Sequence, residues 1–69
     1  MIKIGLLGCG NVGHIIATHA GGIQIAAVYD IIQERAEKVA ALCDARPYTD
    51  FEAFMHDEFS IVVEAASIN

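Results

Sequence analysis

The chain has 69 residues, a formal net charge of −5 and only four Lys and Arg. Nucleic-acid binding rests on basic charge that neutralises phosphates, so this balance argues against it, and no apolar stretch approaches the ~20 residues that cross a bilayer. Hydrophobic residues make up 55% of the chain, yet a domain near this size buries only ~60% of its unfolded surface, so apolar surface is expected to be left for further sheet, a second domain or a partner subunit.

The first element expected in chain order is a strand, Ile2 to Leu7, apolar except for Lys3. A central parallel strand covered on both faces has this composition. No signal peptide is visible, because Lys3 is followed at once by strand and then by glycines. Gly5 inside the strand marks a place where a helix packs closely. Gly8 to Gly10 turn the chain, and Val12, Ile15, Ile16 and Ala20 recur at helical spacing. Gly21-Gly22 ends that helix, since glycine accepts the left-handed geometry of a helix exit.

Ile23 to Tyr29 is a second buried-strand candidate, closed by Asp30. Gln33 to Cys43 predicts a helix with Ala36, Val39, Ala40 and Cys43 on one face and a Glu34–Lys38 pair at i,i+4 on the other. Asp44 to Tyr48 supplies a short outer strand, because Pro47 is tolerated at an edge. Thr49-Asp50-Phe51-Glu52 fits a capping box with Thr49 as N-cap, opening a helix from Asp50 to about His56. Ile61 to Glu64 is the last strand, with Ala65-Ala66-Ser67 at its carboxyl end. Strands alternating with helices in this way build a parallel sheet with right-handed crossovers.

Gly8-Cys9-Gly10-Asn11-Val12-Gly13 is a Gly-x-Gly-x-x-Gly run set between a strand and a helix, with an acid, Asp30, 17 positions after Gly13 at the end of the next strand. That context makes it a dinucleotide-binding fingerprint. A helix start offers free backbone N–H groups and the positive end of the helix dipole to a pyrophosphate. Gly8 permits the tight turn, Gly10 removes a Cβ that would hold the pyrophosphate off the backbone, and Gly13 lets the helix close on the strand. Asn11 and Val12 are expected to present their N–H groups to the phosphates. Asp30 accepts from the adenine ribose hydroxyls and repels a 2′-phosphate, which favours NAD over NADP. Position 31 is Ile rather than Arg, Arg35 is the nearest cation, and Ile31 and Ile32 are apolar candidates to flank the adenine.

Elsewhere the reactive residue types read as ordinary. His14 and His19 are five apart, off the i,i+4 spacing of helical metal ligands, and His56 falls in a polar stretch. No metal site is expected. Cys9 and Cys43 share no ligand spacing and read as free thiols of a reducing cytosol. Glu52, Asp57 and Glu58 read as a cap and a solvated loop. Glu64 either orients the cofactor loop or points to water. The fold expected is α/β, a partial Rossmann fold with a parallel sheet of about four strands and flanking helices. Residues 1–69 then form the N-terminal part of a dinucleotide-binding domain, with the catalytic and substrate domain absent from this chain.

The opening Ile4-Gly5-Leu6-Leu7-Gly8-Cys9-Gly10-Asn11-Val12-Gly13 resembles the start of the L-aspartate dehydrogenases. So do Ile25-Ala26-Ala27-Val28-Tyr29-Asp30 and, more specifically, Val62-Val63-Glu64-Ala65-Ala66-Ser67. The resemblance implies a parent enzyme that oxidatively deaminates L-aspartate with NAD or NADP, giving iminoaspartate, which hydrolyses to oxaloacetate or feeds NAD biosynthesis. It carries Gly8, Gly10, Asn11, Val12 and Gly13 over to the pyrophosphate loop, Asp30 to the ribose, and Ala65, Ala66 and Ser67 to the loop beside the cofactor. It implies a cytoplasmic homo-oligomer with a small amino-acid substrate. The family's catalytic histidine and substrate ligands lie beyond position 69, so no catalytic residue is assigned and the 69 residues alone are expected to show no turnover. Two other readings share the same start: another two-domain dehydrogenase, of the glucose-fructose oxidoreductase or homoserine dehydrogenase kind, and a non-enzymatic nucleotide sensor.

Overall fold

The computed structural model describes residues 2–9 and 22–64. The helix expected over Val12 to Ala20 lies outside them. The described elements are β1 (Ile2–Leu7), β2 (Ile23–Tyr29), α1 (Gln33–Cys43), β3 (Arg46–Tyr48), α2 (Phe51–Met55) and β4 (Ile61–Glu64). The strands form one parallel sheet in the order β3-β2-β1-β4. Every strand expected from sequence is present, and the α/β fold expected from their alternation is the one formed.

β1 and β2 are the two interior strands of this sheet, which is why they carry the long aliphatic runs. They pair from Ile2↔Ile23 to Leu7↔Tyr29, with a register shift between Ile4 and Gly5. Ile4 faces Ile25 and Gly5 faces Ala27, so Ala26 is the extra residue of a bulge. The shift has a packing consequence. Ile25 and Val28, three apart, join Ile4 and Leu6, two apart, in one buried cluster. Strict alternation would have sent one of the pair to the opposite face.

α1 covers that cluster with Ala36, Val39 and Ala40. Two alanines in the contact stripe let the helix axis come close to the sheet. The helix ends at Asp44, which adopts left-handed φ 57°, ψ 43° and donates its N–H to the Ala40 carbonyl. Ala45 N–H donates to the same oxygen at 2.9 Å. Cys43 turns its thiol back to the Val39 carbonyl at 3.1 Å. On the outer side of α1 the i,i+4 hydrogen bond runs from Gln33 to Glu37, at 2.8 Å, in place of the expected Glu34–Lys38 pair.

The other sheet face is aromatic. Phe54 of α2 is fully buried and has ring neighbours Tyr29, Tyr48, Phe51 and Phe59, with centroids 5.1 to 6.2 Å away. Gly5 sits beneath this group. A Cβ there would lie 2.8 Å from the Phe59 ring and 2.9 Å from Phe54, so only glycine leaves room. The close packing expected at Gly5 is made by side-chain rings from α2 and from the segment after it. α2 is shorter than expected, and its N-cap is Asp50, which accepts from Glu52 N–H at 3.3 Å. The expected cap, Thr49, lies one residue outside, because the extended backbone that ends the helix falls at Asp50 (φ −107°, ψ 115°). Ser60 N–H donates to the Lys3 carbonyl at 2.9 Å and starts β4 alongside β1.

Candidate functional site

The carboxyl ends of three strands are level, with Leu7 opposite both Tyr29 and Glu64. The chain leaves β1 at Gly8, whose φ of 93° is open to glycine and strained for other residues. Its N–H donates to the Tyr29 carbonyl at 2.8 Å, the last rung between β1 and β2. Cys9 N–H then donates to Oδ2 of Asp30 at 2.9 Å. Asp30 Oδ1 accepts from Ile32 N–H at 2.8 Å, closing a turn that leads into α1. Asp30 N–H donates to the Tyr48 carbonyl at 3.1 Å.

Asp30 is therefore gripped from both ends. Taken as a whole residue it is only 7% exposed, less than any other charged residue among those described. Each of its oxygens accepts one N–H from the described residues. A carboxylate offers about four acceptor positions, and the described residues occupy two of them. Removing the carboxylate would leave two N–H groups without their acceptor, at about 1–3 kcal/mol for each that is buried.

Around this carboxylate the surface is apolar and open. Ile31 is 80% exposed and Ile32 43%. Arg35 is exposed in the first turn of α1 and makes no ion pair among the described residues. Glu64 is exposed at the level of Leu7 and makes no side-chain hydrogen bond to the described residues. Its two sequence readings both stand, because glycine-loop residues 10–13, which the first of them concerns, lie outside the described residues. Cys9 is buried, and its thiol donates to the Tyr29 carbonyl at 3.7 Å. Burial, aided by the Asp30 charge, pushes this thiol up to about 11. That favours the protonated thiol over the thiolate that a nucleophile needs. No group of His, Cys, Asp and Glu that could hold a metal occurs among the described residues.

The structure thus brings together two of the residues singled out from sequence, Gly8 and Asp30. Gly10, Asn11, Val12, Gly13, Ala65, Ala66 and Ser67 lie outside the described residues.

Sequence reasoning missed a second polar centre. Asp57, expected in a solvated loop, has a side chain only 5% exposed. It accepts from Arg46 Nε at 2.6 Å, from the Arg46 terminal nitrogen, from the Tyr48 hydroxyl at 2.6 Å and from Glu58 N–H at 2.6 Å. The Arg46 guanidinium holds its carboxyl well below the usual carboxylate range, and Asp57 raises Arg46 in return. The one available signal is the Arg46-Pro47-Tyr48 spacing, which places two polar side chains on one face of an edge strand.

A glycine turn leaving a central parallel strand, with a fixed carboxylate at the end of the neighbouring strand, defines a nucleotide-binding α/β half-sheet. The comparisons with known proteins agree. The family model described as oxidoreductase family, NAD-binding Rossmann fold, matches residues 2–69, and the chain belongs to that family. It is 52% identical over 99% of its length to an L-aspartate dehydrogenase of Methanospirillum hungatei. It is 34% identical over 99% of its length to the enzyme of that name from Methanocaldococcus jannaschii, and 31% identical over its full length to that from Methanococcus maripaludis. The chain spans 27% of the length of the first two curated relatives and 28% of the third. The sequence resemblance to L-aspartate dehydrogenases is thereby found along the whole chain, and its cofactor is a nicotinamide dinucleotide.

Proposed function

We propose that this chain is the cofactor-holding part of an L-aspartate dehydrogenase and that it prefers NAD. The observation that carries the reading is Asp30, buried at the end of β2 and bonded to Cys9 N–H where the chain leaves β1. The residues present fit the cofactor. Gly8 makes the turn without strain, and a two-oxygen acceptor at the end of the neighbouring strand suits the paired hydroxyls of a ribose. A bound nicotinamide ring would supply the hydride acceptor for oxidation of the amino-acid carbon, the accompanying proton being released to solvent.

The chain's own residues supply binding and orientation. Gly8, Gly10, Asn11, Val12 and Gly13 are assigned to the pyrophosphate, Asp30 to the ribose, and Ala65, Ala66 and Ser67 to the nicotinamide side. Exposed Ile31 and Ile32 offer an apolar rim for the adenine. A 2′-phosphate would place its charge against the Asp30 carboxylate, and the exposed Arg35 is the cation nearest in sequence that would offset it. This supports NAD as the preferred partner, with NADP as a weaker one.

The free thiols, Cys9 and Cys43, suit a reducing cytoplasm. Ile61 and Val62 are exposed on β4, an outer strand of the described sheet, and support association into a homo-oligomer through that side. Titration calorimetry of the chain with NAD and NADP tests the cofactor assignment. Tighter binding of NAD is expected, lost in Asp30→Ala; unchanged NAD affinity in that variant would sink the assignment. For the activity, aspartate-dependent NADH formation by the full-length enzyme is expected, and its absence would leave only the cofactor site.

A further inference from the structure

β3 is a weak strand by its own resources. It is three residues long, lies at the sheet edge and has Pro47 at its centre, which donates no backbone hydrogen bond. Yet its last carbonyl, on Tyr48, accepts the N–H of Asp30. The placement of Asp30 therefore depends on something that fastens β3.

Asp57 is that fastening. Arg46 and Tyr48 are two apart on the strand, and both reach the same carboxylate. With Glu58 N–H also bound, Asp57 has four donors, which fills the about four acceptor positions of a carboxylate. It has no capacity left for a ligand. The Tyr48 ring is braced as well, 6.1 Å from buried Phe54 in an edge-on contact.

We propose that Asp57, acting through Tyr48, is a positioning residue for the dinucleotide corner. The connection is continuous. Asp57 holds the Tyr48 hydroxyl, the Tyr48 carbonyl holds Asp30 N–H, and the Asp30 carboxylate holds Cys9 N–H at the glycine turn. The inference rests on the cofactor reading given above and extends it to a residue that touches no cofactor. Loosening the Tyr48 end of β3 frees the Asp30 backbone to rotate, and its carboxylate leaves the position it shares with Cys9.

The test uses the full chain, ¹⁵N-labelled, with NAD as the probe. Tyr48→Phe keeps the ring and removes the hydroxyl. Asp57→Ala removes the whole tie, and Asp57→Asn restores an acceptor oxygen. Ile2→Ala, at the far end of β1 from the glycine turn and outside the buried cluster that holds Cys9, serves as a control for general loss of stability. Tyr48→Phe and Asp57→Ala are expected to shift the Cys9 and Asp30 amide resonances before any NAD is added and to raise the Kd for NAD about 3- to 10-fold, within the usual reach of residues that couple to a site without contacting ligand. Asp57→Asn should recover part of both effects, and Ile2→Ala should leave both amides in place. Unmoved Cys9 and Asp30 amides in Tyr48→Phe would overturn the inference whatever the titration gives, as would equal movement in Ile2→Ala. Failure of the unsubstituted chain to bind NAD would overturn the cofactor reading, and this inference with it.

Discussion

Asp30 and Asp57 are both carboxylates withdrawn from solvent, but they are held in opposite ways. Asp30 is bound by backbone N–H groups, Cys9 on one oxygen and Ile32 on the other, beside an open apolar surface. Asp57 is bound chiefly by side chains, a guanidinium and a phenol, and its acceptor positions are filled. Backbone donors fix a carboxylate while leaving room for a ligand. Side-chain donors wrap it and close it. The same residue type is thus proposed as a binding group at one corner and is a structural pin at the other; among the described residues Asp30 has two donors and Asp57 four.

The largest effect that sharpens this contrast is expected at the aromatic packing beneath the pin. Phe54→Ala removes a fully buried ring and should lower stability by about 3–5 kcal/mol, enough to unfold a chain of this size. Urea melts followed by circular dichroism read it. A loss near 1 kcal/mol would mean that the aromatic face contributes little to holding β3.

Next comes the binding carboxylate. On the proposed role, Asp30→Ala removes the acceptor for two ribose hydroxyls, and at ~1.5 kcal/mol for each hydrogen bond to a charged group, NAD binding should weaken about 100-fold. Its folding stability should fall by about 1–3 kcal/mol for the abandoned N–H groups. Calorimetry on folded variant measures the first and denaturant melts the second. Unchanged affinity would erase the distinction between the two acids.

The pin should show in acid. Asp57 has its folded-state pKa lowered by Arg46 and Tyr48. Its stabilising share is present above its unfolded value of ~3.9 and is lost as pH falls below that toward the folded pKa. Asp57→Asn should therefore flatten the drop in urea midpoint between pH 5 and 3 that the unsubstituted chain displays. Identical pH slopes would remove Asp57 from the account. The smallest effect is chemical. With both thiols raised by burial, iodoacetamide at pH 7.5 should modify Cys9 and Cys43 slowly in the folded chain and quickly in urea, as followed by mass spectrometry.

Much of the corner is legible in the order of the amino acids. Ile2–Leu7 and Ile23–Tyr29 announce interior strands because both faces of such strands are covered, and the glycine after the first requires a turn. Gln33–Cys43 is legible because its small apolar residues recur at helical spacing. The bulge at Ala26 is not legible, since aliphatic residues on both sides of it give no sign of which one is extra. Thr49 and Asp50 fit the same local capping pattern at the start of α2, and only the backbone turn decides between these adjacent candidates.

By itself, then, the sequence determined the order and kind of the elements, the glycine turn and the acid one strand away, because each is written in a short window with its own period or its own required residue. The tertiary structure alone decided that Gly5 must admit two phenyl rings, and that Arg46, Tyr48 and Asp57 meet. Those contacts join residues with no common period, brought together only when the chain passes from β3 through α2 to the opposite edge of the sheet.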